Sequence, residues 1–136
     1  MPRKTDSNNP ADWLWIAESD LEALRLICER EVGYQLCRSK LAEVLEKTLK
    51  AELIRTGWIL ERTHDLEKLL DQLKLRGSDL VAITEPLCDG LAELYFIDRY
   101  PGFDLDDPDW PTLRQQIEGV SRLLTTIKGR LPSAAS

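Results

Sequence analysis

Apolar residues recur at every third or fourth position along nearly the whole chain, and no stretch alternates at period two. That spacing puts them on one face of a 3.6-residue helix, so it predicts an all-α protein. Asn9-Pro10 opens the first helix, with a capping side chain followed by a proline whose missing N–H costs nothing in the first turn. From there Trp13, Ile16, Leu21, Leu24 and Ile27 or Cys28 mark a stripe that runs to about Arg30. Gly33 breaks it. A second helix from Tyr34 to Thr56 carries Leu41, Leu45, Leu49 and Leu53 as its seam and stops at Gly57.

Residues 57–62 read as a loop holding Trp58, and Thr63 as the N-cap of a third helix from His64 to about Arg76. Pro86 is expected to split residues 79–99 into a short lead and a main helix 86–99, which Pro101-Gly102 ends. An acidic loop (Asp104, Asp106, Asp107, Asp109) leads to a fifth helix from Trp110 to Leu131. The expectation is an up-and-down helical bundle of about five helices over residues 10–131, with disordered ends at 1–9 and 132–136. Trp13 and Trp15 lie about 200° apart on a helix, so one of them is expected to face a partner.

With 136 residues, 43% hydrophobic and 31% charged, the chain suits one domain with a single core. Its net charge of −6 gives no overall attraction for nucleic acid, and no DNA binding is expected. Residues 38–76 nevertheless hold nine Lys/Arg against seven Asp/Glu, so an anionic ligand belongs there if anywhere. Cys28, Cys37 and Cys88 are scattered and odd in number, which argues against a disulfide framework or a zinc site. They are expected to be buried in a reducing compartment. The acidic run lacks the glycine-bearing calcium-loop pattern, and no metal or cofactor is expected. No apolar run reaches the ~18 residues of a membrane span, and residues 1–9 lack a signal peptide's apolar stretch; the expected location is the cytoplasm.

Few residues carry chemistry. Glu43–Lys47 and Glu46–Lys50 are i,i+4 pairs in the favourable orientation, which also describes an ordinary surface ladder. Glu46 and Lys50 border the seam, where a lysine can hold a phosphate, while Lys47 points away. His64 is the single histidine, placed where a third helix begins; Arg62 precedes it and Asp65 suits the helix dipole. Arg99 and Tyr100 together could flank a nucleotide, the one on phosphate and the other on the base. Phosphate-loop, dinucleotide and zinc-protease motifs are missing from the sequence.

Three of these stretches, Glu46-Lys47-x-x-Lys50-Ala51, Arg62-Thr63-His64-Asp65-Leu66 and Tyr95-x-x-x-Arg99-Tyr100-Pro101, resemble the HEPN family (higher eukaryotes and prokaryotes nucleotide-binding domain). Trp13, Ala17, Asp20 and Leu21 match its usual opening. The resemblance implies a dimeric helical bundle that binds nucleotides, often beside a separately encoded small nucleotidyltransferase in a toxin–antitoxin-like pair. It implies a nucleotide site made of Glu46, Lys47, Lys50, Arg62, His64, Asp65, Arg99 and Tyr100. Ribonucleases of the family place four to six residues between an arginine and its histidine. Here Arg62 has one residue before His64 and Arg55 has eight, so that motif is not found and no catalytic residue is assigned. The alternatives are a toxin-like endoribonuclease using His64 with Arg99, and a non-catalytic protein-interaction module.

Overall fold

A computed structural model describes residues 7–92 and 107–132, and five helices account for most of them. They are α1 (Pro10–Glu29), α2 (Tyr34–Arg55), α3 (Leu66–Leu75), α4 (Val81–Leu91) and α5 (Trp110–Lys128). No strand forms among the described residues, and the all-α bundle is as the periodicity predicts. α1 begins where its cap demands: Asn9 accepts from the Ala11 N–H at 3.1 Å and Pro10 fills the first turn. It buries Trp13, Leu14, Ala17, Leu21, Leu24 and Cys28.

α2 is the centre of the fold and packs against all four other helices. Its seam residues Leu41, Leu45, Leu49 and Leu53 are fully buried, but so are Val44, Thr48 and Ala51 on its other faces. A helix covered over most of its surface has little polar face to give to water, so its buried polar groups need internal partners. The Thr48 hydroxyl accordingly donates to the Val44 carbonyl one turn back at 2.8 Å.

Side-chain contacts fix the helix directions. Lys40 reaches Asp20 at 3.7 Å and Lys50 sits over Trp13 at 5.3 Å, so α1 and α2 are antiparallel. Lys128 pairs with Glu18 and Arg25 with Glu118, which makes α5 antiparallel to α1 as well. α3 instead runs in the same direction as α2: His64, before its start, meets Glu46, and Arg76, after its end, donates to the Thr56 carbonyl. The chain between them therefore returns along α2 through the non-helical residues 58–65. Trp58 anchors that return, buried and with its backbone N–H donated to the Leu53 carbonyl at 2.9 Å.

Three expected boundaries shift. α3 starts at Leu66 rather than His64, because Asp65, not Thr63, caps it by accepting from the Glu67 N–H at 3.0 Å. Thr63 instead accepts from the Asp65 N–H at 3.1 Å, a local turn that keeps His64 out of the helix. α4 runs unbroken through Pro86, which removes one interior hydrogen bond but does not split it. Pro86 and Ala82, whose carbonyl loses that donor, are both exposed, so water can take its place. α5 ends at Lys128. The expected continuation of the fourth helix to Arg99, and the start of the acidic loop, lie outside the described residues.

The cysteines are free and buried, and Trp13 is buried while Trp15 is exposed. No described helix is long and apolar enough to cross a membrane. Pro86→Ala restores the missing donor and is expected to stabilise the protein by about 1–3 kcal/mol, read as a higher urea midpoint at unchanged slope. An unmoved midpoint would mean that the proline costs α4 nothing. Burial pushes the Cys88 thiol up to about 12 from an ordinary 9.0. The native state holds its proton longer than the unfolded chain, so this contribution is complete below pH 9.0 and is lost as pH rises towards 12. Across that window Cys88→Ala should flatten the fall in stability with pH; an identical slope would contradict the assignment.

Candidate functional site

Glu46 and Lys50 stand one turn apart on α2, on the side met by α1 and by the returning segment. Both are nearly sealed from solvent: Glu46 is 7% exposed and Lys50 4%. A charge at that depth is costly unless it is paired. The Lys50 Nζ donates to Glu46 Oε2 at 3.0 Å and lies over the Trp13 ring, whose π-face accepts a cation. Trp13 is itself fixed, donating its indole N–H to the Ser7 carbonyl at 2.8 Å.

The second carboxylate oxygen of Glu46 faces outward. His64 Nδ1 lies 3.0 Å from Glu46 Oε1, and the imidazole is 69% exposed. An ionised carboxylate can only accept, so in this contact the ring donates from Nδ1. Trp13, Lys50, Glu46 and His64 thus form a continuous array from the core to the surface. Beside it is a small hollow of about 50 Å³ lined by Ser39, Ala42, Glu43, Leu66, Leu91 and Ala92 together with Glu46 and His64. A carboxylate-held imidazole can take or give a proton, accept from a hydroxyl, or, when doubly protonated, bind an anion.

The other sequence-derived residues are arranged differently. Arg62 lines a separate hollow with Ile54, Trp58 and Leu60. Lys47 is half-buried on α2, and the Asp65 carboxylate is occupied as the cap of α3. Arg99 and Tyr100 lie outside the described residues. In the fold Glu46 holds both Lys50 and His64, and Lys50 is the group that neutralises it. Among the described residues no cluster of potential metal ligands occurs.

A second buried carboxylate was not legible in the sequence. Glu52, only 2% exposed, accepts two bonds from Arg55 (2.6 and 3.0 Å) and one from Arg130 at 2.8 Å. Arg130 also forks onto Asp79 at 2.7 and 3.0 Å, and this hydrogen bonding holds the Asp79 carboxyl below its usual range. The Glu52–Arg55 spacing hinted at a pair, but nothing near Arg130 marks its partner 78 residues away.

The buried pair gives a direct test. Lys50→Met should destabilise the protein by about 3–5 kcal/mol, because it leaves a buried carboxylate without its cation. Adding Glu46→Leu should recover most of the loss, since an apolar pair of similar volume needs no counter-charge. Urea denaturation of the two variants measures both effects; equal stability of single and double variants would show that the charges are not coupled.

Comparison with known proteins agrees with the fold and the motifs. A family model described as HEPN domain matches residues 10–129, from the first residue of α1 to one residue past α5. No curated protein and no solved structure matches the chain. The match takes in most of the 136 residues, including Glu46, Lys50 and His64, and on that extent the chain belongs to the HEPN domain family.

Proposed function

We propose that this chain is a nucleotide-binding HEPN domain in which His64 makes the primary contact with a phosphate or ribose group. The observation that carries the reading is the exposed imidazole held by a carboxylate whose charge is already balanced in the core. Lys50, sealed and committed to Glu46, supports the site from beneath rather than touching the ligand. Lys47, Arg62 and Asp65 belong to the surrounding surface, and Arg99 and Tyr100 join the reading through their sequence motif alone. We further propose that the chain is cytoplasmic, forms a homodimer and works with a separately encoded small nucleotidyltransferase in a toxin–antitoxin-like pair. Family membership supports this part.

One observation favours a second reading, a metal-independent endoribonuclease. The Glu46–His64 pair has the chemistry of a general base, a carboxylate-held imidazole able to take the proton of a ribose 2′-hydroxyl. The arginine spacing of the family's ribonucleases is not met, which keeps this reading second.

The test is a thermal-shift and calorimetric panel of adenine and guanine mono-, di- and triphosphates. A ligand at ~100 times its dissociation constant adds ~2.7 kcal/mol to stability. His64→Ala should weaken the responding nucleotide by about tenfold or more, the scale of one charge-assisted hydrogen bond. Unchanged affinity in that variant would refute the proposed contact. The same protein incubated with RNA distinguishes the second reading: cleavage that depends on His64 supports it, and intact RNA refutes it.

A further inference from the structure

The walls around His64 are not equally firm. The hollow beside it has a volume of about 50 Å³, bounded on one side by Ala42, Glu43 and Glu46 of α2 and on the other by Leu91 and Ala92 at the end of α4. A cavity that takes a benzene ring measures about 150 Å³. A ribose or phosphate group therefore enters this hollow only if a wall moves. α2 does not supply that movement, because it is the central helix and its buried polar groups are paired. His64 and Leu66 are held as well, the one by Glu46 and the other at the capped start of α3. That leaves α4.

Three features make α4 the weak wall. Pro86 stands in its interior, so the bond to the Ala82 carbonyl is missing and the helix can bend there with little further loss. The ties on the two sides of the proline also differ. Before it, Arg130 forks onto Asp79 just ahead of the helix, and Lys74 pairs with Glu85 at 2.8 Å. After it, among the described residues, positions 87–91 make no salt bridge, and their one side-chain hydrogen bond is the weak one from the Cys88 thiol to the Leu66 carbonyl at 3.9 Å.

The third feature is Thr84. Its side chain is sealed, and its hydroxyl has no hydrogen-bond partner. Thr48 on α2, equally buried, donates to the carbonyl one turn back; Thr84 does not. Native proteins leave few such groups unpaired, because each has lost its water and gained nothing in return. Leu87 and Cys88 stand three and four residues further on, buried on the same face. Lifting them lets water reach the hydroxyl and removes that cost. The closed wall is penalised and the open one relieved.

We infer that residues 87–91 are a movable wall of the His64 hollow, hinged at Pro86, which swings out to admit the ribose or phosphate of a nucleotide and then closes against it. The ligand rests on the nucleotide reading above; the movement does not.

Hydrogen exchange of the full chain, followed by mass spectrometry with and without millimolar ATP or GTP, tests it. The amides of residues 87–91 should open at least about a hundredfold more often than those of the α2 seam, and bound nucleotide should slow them by about tenfold or more. Thr84→Val puts a methyl in place of the unpaired hydroxyl, at a residue that does not line the hollow, and should lower the opening by about tenfold. Nucleotide association in stopped flow should slow by the same factor, since only the open fraction binds. His64→Ala should weaken binding yet leave exchange in the free protein unchanged, which separates the wall from the contact. Residues 87–91 as protected as α2 would overturn the inference, and so would a Thr84→Val variant whose exchange slows while its association does not. Exchange as expected, but altered by neither nucleotide, would uphold the moving wall and overturn the nucleotide reading instead.

Discussion

Covering α2 on most of its surface imposes the condition that most of the remaining structure satisfies. From Leu41 onward this helix has almost no solvent face, yet its sequence places Glu46, Thr48, Lys50 and Glu52 inside. Each of these groups would cost several kcal/mol if buried alone. The fold answers each separately: a backbone carbonyl for Thr48, a salt bridge for Glu46 and Lys50, and two guanidinium groups for Glu52. Only Val44, Arg55 and the mutual Glu46–Lys50 pair come from α2 itself. The rest of the satisfaction is tertiary, from Trp13 on α1, His64 on the returning segment and Arg130 after α5. The polar groups therefore help to specify which elements surround α2, a task that apolar contacts alone perform less selectively.

The return of the chain through residues 58–65 has consequences at both ends of the bundle. At one end it brings His64 back beside the middle of α2, where Glu46 awaits it. At the other, the parallel course of α2, α3 and α5 gathers three helix C-termini in one region. Their carbonyl ends carry partial negative charge, and Arg55, Arg76 and Arg130 follow or close these helices. Arg76 donates to the Thr56 carbonyl just past α2, and Arg130 ties Glu52 to Asp79 before α4. The cluster is thus accounted for by helix ends and two carboxylates, without invoking a ligand.

What could be read from the chain was what lies close together along it. The start of α1 followed from Asn9-Pro10, and the core seam of α2 from its leucine spacing. Periodicity could not show how deep Glu46 and Lys50 lie, because an i,i+4 Glu–Lys pair looks the same on a surface and under a covering loop. The start of α3 was missed because Thr63 and Asp65 are both capping residues two positions apart, and the choice between them depends on the path of the preceding backbone. The unbroken α4 was missed for a related reason: proline's penalty is real, but solvent at Ala82 and packing through Leu87, Cys88 and Leu91 outweigh it. Contacts such as Glu46–His64, 18 residues apart, and Glu52–Arg130 depend on topology and leave no local mark.

The depth of Lys50 also changes the electrostatics expected of the site. A free lysine beside a cleft would attract phosphate by itself, as a point charge with strong long-range pull. Paired with Glu46 at 3.0 Å in a sealed position, it forms a nearly neutral unit. What the buried pair supplies to the surface is position: Glu46 Oε1 holds the His64 ring at 3.0 Å, while Oε2 is taken by Lys50. The carboxylate therefore cannot swing away from the ring without leaving the sealed lysine unpaired, and the core fixes the geometry of the one exposed group in the array.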